Sequence, residues 1–108
     1  MQNSISNDQN ANDMKRKKIH YGTKLPVVLT LRERDTIRDK TLGDPNFGNM
    51  GVVEGKSIRI MMSLDDIEDV QGYIAAEANH TDNKKLQKDL DRIVDKFQVF
   101  LDLYDDQD

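Results

Sequence analysis

Apolar residues in this chain follow three distinct spacings, and each predicts an element. Leu25-Pro26-Val27-Val28-Leu29 is short, apolar and β-branched, the composition of a strand. Pro26 has no N–H to give to a ladder, so it belongs at the start of that strand or on a sheet edge. Ser57 to Met62 alternates instead: Ile58, Ile60 and Met62 fall on one side and Ser57, Arg59 and Met61 on the other, the period of a half-buried strand. The third spacing is helical and lies towards the C-terminus. Leu86, Leu90, Ile93, Phe97, Phe100 and Tyr104 recur at intervals of four and three, and Val94 and Leu101 widen the stripe.

Helix starts are marked by hydroxyl caps. Thr30 followed three residues later by Glu33 reads as a capping box, with hydroxyl and carboxylate each taking an orphan amide. It predicts a peripheral helix from Leu31 to about Leu42, stopped by Gly43 and Asp44-Pro45. Ser63 with Asp66 repeats the device and predicts a second helix from Leu64 to about Asn79, whose Ile67, Val70, Ile74 and Ala78 share a face. Thr81 or Asp82 is expected to cap a third, from about Asn83 to Tyr104. Between the first helix and the second strand, residues 43–56 hold four of the six glycines and read as a loop, with a brief extended piece at Val52-Val53 and a turn at Glu54-Gly55. Val27–Glu33 and Ile60–Asp66 align at an offset of 33 as strand, cap, Leu, charge, acid. Either the unit was duplicated or one capping solution was used twice.

The polar ends look different. Residues 1–13 are rich in Asn, Gln, Ser and Asp, a composition that cannot bury enough surface to fold, so residues 1–24 are expected to be a disordered tail. That stretch carries five basic residues against two acidic ones, a net of +3, which leaves −7 on the remainder of a chain totalling −4. At the other end Asp105, Asp106 and Asp108 oppose the negative end of the third helix, so residues 105–108 are expected to fray. The 108 residues suit one domain, taken as 25–104. The fold expected is α+β: a β-α-β-α-α order with two or three short strands covered by a C-terminal antiparallel helical hairpin. The acidic second helix and the locally basic third are expected to meet charge to charge across the hairpin rim.

Candidate chemistry is sparse. There is no Cys, so no thiolate zinc site, Cys nucleophile or disulfide exists, which is compatible with a reducing cytoplasm. Gly51 to Ser57 ends like a phosphate-binding loop, but Met50 stands where the first Gly belongs, and a strand rather than a helix follows. Glu77 and His80 have the Glu-x-x-His spacing of dimetal bundles, yet only one such pair exists and the third helix has no Glu. His20 has no acid within sequence reach, and adjacent carboxylates such as Asp65 and Asp66 diverge on a helix. No catalytic, cofactor-binding or metal-binding residue is therefore assigned, and no cofactor is expected.

The expected function is a small non-catalytic protein-interaction or regulatory module, its candidate surface being Leu90, Phe97, Phe100 and Tyr104 on the third-helix stripe. The alternative is a nucleic-acid-associated accessory using Lys15, Arg16, Lys17 and Lys18, which predicts weak, salt-sensitive binding without sequence preference. No apolar run is long enough for a membrane span. Because two strands alone are marginal in water, a second copy is expected to pair through the third helix or a shared sheet.

Overall fold

The computed structural model describes residues 16–107. Eight elements occur in the order β1 (Lys17–His20), β2 (Leu25–Thr30), α1 (Leu31–Lys40), β3 (Val52–Glu54), β4 (Ser57–Met62), α2 (Leu64–His80), α3 (Lys84–Leu103) and β5 (Tyr104–Gln107). They form an α+β fold with two sheets. β2, β4 and β3 make an antiparallel sheet with β4 in the middle, while β1 and β5 make a parallel pair.

The alternation read from the sequence is the alternation observed. Leu25, Val27 and Leu29 of β2 and Ile58, Ile60 and Met62 of β4 are buried on one face of the sheet. They join Ile37 of α1, Leu64, Ile67, Ile74 and Ala78 of α2, and Leu90, Ile93 and Phe97 of α3 in a single core. Both capping boxes are formed in full, Thr30 with Glu33 and Ser63 with Asp66. The two aligned segments are thus both strand-cap-helix units, and β2 and β4 lie side by side antiparallel, as a two-fold relation between the units would require. α2 and α3 pack together as the expected hairpin, clasped by Gln71, whose Nε2 donates to the Val94 carbonyl at 3.1 Å and to Gln98 Oε1 at 3.0 Å.

The turns explain where the chain needs glycine. Gly55 opens the two-residue connection between β3 and β4 with φ 63°, a value that primed hairpin turns demand and L side chains resist. Gly51 is needed for closeness instead. A Cβ there would lie 2.6 Å from Ile58 Cδ1 and 2.7 Å from its Cγ1, so the loop runs directly against the core. Phe47 anchors the same loop from below, 7% exposed.

Four expectations are corrected. Residues 17–20 are not tail: they form β1, in parallel register with Tyr104–Gln107. For the same reason residues 105–107 do not fray, since they continue α3 as β5. One ion pair crosses this pairing, and two further contacts tie the residues after β1 to the start of α2. Lys18 Nζ meets Asp105 at 2.7 Å, Tyr21 donates to Asp65 at 2.6 Å, and Lys24 meets Asp66 at 3.1 Å, while Ile19 packs against the core. The portion of the tail expectation covering residues 1–15 lies outside the described residues. Thirdly, Asn83 rather than Thr81 or Asp82 caps α3, accepting from the Leu86 amide. Finally, the hairpin rim is not where charges meet. Among the described residues the ion pairs that α3 makes with other elements run to α1, Arg32 to Asp89 at 3.4 Å and Lys96 to Glu33 at 2.7 Å, and Asp66 at the start of α2 is taken by Lys24.

Candidate interaction face

The residues singled out for chemistry do not converge. His20 ends β1, and its carbonyl accepts from Thr23 in a tight turn. The next residue, Tyr21, touches Asp65 at the start of α2, whereas His80 closes that helix. Seventeen residues of helix separate the two ends, roughly 25 Å at 1.5 Å per residue. Among the described residues no group of three His, Cys, Asp or Glu side chains is placed to hold a metal ion. Gly55-Lys56-Ser57 is the β3–β4 hairpin turn entering a strand, without the helix N-terminus that a phosphate cradle requires.

A concavity of about 290 Å³ lies between α1 and α3 and is lined by Thr30, Arg32, Glu33, Thr36, Asp89, Arg92 and Ile93. Its charges satisfy one another. Asp89 sits between Arg32 and Arg92, each at 3.4 Å, and Glu33 is held by Lys96. The Thr30 hydroxyl and Glu33 carboxylate in its lining are engaged with each other's backbone amides in the capping box of α1.

The basic run falls partly outside the described residues, since Lys15 is not described. Of the rest, Arg16 and Lys17 are exposed and Lys18 is committed to Asp105, whose carboxyl it holds below the usual range by hydrogen bond and charge. The acid-rich start of α2 is also occupied. The Tyr21 hydroxyl is raised above its ordinary value by its hydrogen bond to Asp65. For Asp66, partial burial pushes upwards, but the Ser63 amide and hydroxyl together with Lys24 outweigh it and hold the carboxyl low.

The candidate surface on α3 divides. Leu90 and Phe97 are 0% exposed and belong to the core, so they present nothing to a partner. Phe100 and Tyr104 are half-buried against that core. Helical periodicity shows that a stripe is apolar, but not what covers it, and here α2 and the sheet do.

An apolar surface does remain open, on the other face of the three-stranded sheet. The register sets Pro26 beside Met61, then Val28, Arg59 and Val52 in one row, then Thr30, Ser57 and Glu54 in the next. Antiparallel sheets with one wet face ordinarily turn polar side chains outward. Here Val28 is 55%, Met61 51% and Val52 50% exposed, and Pro26 is exposed beside them. Arg59 lies between the two valines, and its guanidinium reaches Glu54 at 3.5 Å on the same face. The signal for this face was present in the sequence as the outward set Pro26, Val28 and Met61. Alternation alone does not mark it, because an exposed apolar position is recognised only once the covered face is known.

No protein-family model matches the chain, no curated protein resembles it significantly, and no solved structure matches it. Among the described residues no helix is long and apolar enough to cross a membrane.

Proposed function

We propose that this chain is a non-catalytic protein-interaction module whose docking face is the outer face of the β2–β4–β3 sheet. The observation that carries the reading is the exposure of Val28, Val52 and Met61 on one contiguous face around Arg59. Contiguous apolar surface rimmed by polar groups is costly to leave in water and marks contact sites.

The test is recovery of partners from native lysate on the immobilised full chain, compared with the variants Val28→Glu and Met61→Glu. A charge placed on an apolar contact is left desolvated and unpaired, so the proteins retained specifically by the natural sequence are expected to be lost from both variants. Recovery of the same proteins in the same amounts by all three forms would overturn the reading.

A further inference from the structure

We infer that the occupant of the outer sheet face is a second copy of this chain, in a two-fold arrangement that sets Arg59 of each copy against Glu54 of the other. The inference rests on the interaction reading above and goes further by naming the partner. Three observations narrow the choice.

The first is self-complementarity of charge. In an isologous contact every group meets the equivalent surface of its partner, so a face bearing a single sign repels its copy. This face carries one cation and one anion, Arg59 and Glu54, 3.5 Å apart and flanked by apolar side chains. Turning a copy over about an axis between them brings each charge to its opposite, and the exposed side chains of Pro26, Val28, Val52 and Met61 then cover one another.

The second is that the core of the α3 stripe, Leu90, Ile93 and Phe97, is consumed by the chain itself, so α3 offers a second copy only separate apolar side chains such as Val99 and Leu103.

The third concerns the sheet edges. The Leu31 amide donates to the Lys56 carbonyl, continuing the β2–β4 ladder. Leu25, Val27 and Leu29 therefore point their amides at β4, and Pro26, Val28 and Thr30 point theirs at the free edge. Pro26 has no N–H, and that of Thr30 is taken by Glu33 at 2.8 Å. A single donor, on Val28, is left for strand addition, and β3 on the other edge is only three residues long. Blunted edges of this kind disfavour edge-to-edge pairing. Of the sheet's own surfaces, the open face is the one suited to a second copy.

The experiment is the mass of the full chain in solution by sedimentation equilibrium over a micromolar range, with the single variants Arg59→Glu and Glu54→Arg, separately and mixed. The natural chain is expected at twice its 12.4 kDa. Each variant alone presents two like charges to its copy and should dissociate at concentrations on the order of tenfold or more higher. Mixed, the two variants restore every opposite pair and should recover the dimer as a heterodimer. Circular dichroism checks that each variant is folded; Glu54 is exposed and Arg59 half-buried, both on the outer face, so the charge exchange does not touch the core. A natural chain that stays monomeric throughout overturns the second copy as occupant, while loss of lysate partners from Met61→Glu would still stand for a different protein there. A dimer that neither charge reversal weakens, or that mixing does not restore, also overturns the inference by placing the contact elsewhere.

Discussion

Glu33 Oε1 accepts from the Thr30 backbone amide at 2.8 Å and from the Lys96 ammonium at 2.7 Å. One carboxylate oxygen thus closes the capping box of α1 and ties that helix to α3. Replacing Glu33 with Ala removes both bonds and leaves the Thr30 amide to water, whereas Lys96→Ala removes only the ion pair. Glu33→Ala is accordingly expected to lower the unfolding free energy by about 1–2 kcal/mol and Lys96→Ala by clearly less, measured by urea titration. Phe97 presents the other extreme, a side chain with no exposed surface among apolar neighbours. Phe97→Ala is expected to cost roughly 3–5 kcal/mol, a large share of the stability of a domain this size. Both roles could be read from spacing alone in part. Thr-x-x-Glu announced the cap, and the 4-3-4 stripe announced the burial. The Lys96 partner was not announced, because it lies 63 positions away and only the packing of α1 on α3 brings it near.

At the scale of elements, the pairing of β1 with β5 has the clearest consequence. Asp105, beside Lys18, is held below the ordinary carboxyl value of 3.8, and Asp66 at the Lys24 tether is held low as well. A carboxyl lowered by folding contributes stability above its unfolded value and loses it as the pH falls through its folded value. The tethers of β1 should therefore weaken as the pH drops below about 4, with the core strands unaffected over the same range. Amide protection within β1, corrected for intrinsic exchange, is expected to fall between about pH 5 and about pH 3 while that of Val27 and Ile60 holds. Equal protection at both values would show that the acids do not hold the strand. The loop before β3 gives a second expectation. Ile58 is 1% exposed and cannot yield to a new methyl at Gly51, so Gly51→Ala should cost about 1–3 kcal/mol in thermal or chemical unfolding. Composition marked this loop by its glycines, but it did not distinguish Gly51, needed for closeness, from Gly55, needed for its positive φ.

Among the described residues, the three-stranded sheet has one face spent on helices and the other open. Positions on the open face contribute to folding little and to association much, so the two properties should separate. Val28→Glu and Met61→Glu are expected to change the unfolding free energy by no more than about 0.5–1 kcal/mol, while abolishing self-association. A large loss of stability in both would mean that this face is covered within the chain itself. Measuring unfolding at low concentration, where a dimer contributes nothing, keeps the two effects apart.

Local chemistry settled the strands at 25–30 and 57–62, the three helices and both capping boxes, since alternation, periodicity and hydroxyl caps each act within a few residues and carry their own signal. Three matters were decided only in three dimensions. A basic stretch and an acidic end 87 positions apart became neighbouring strands through Lys18 and Asp105. An α3 stripe that could have faced a partner was covered instead by α2 and the sheet. The outward set of two strands became an open apolar face only because every described helix packs on the other side. Each depends on which surfaces meet, and periodicity records that a side chain avoids water without recording what replaces it.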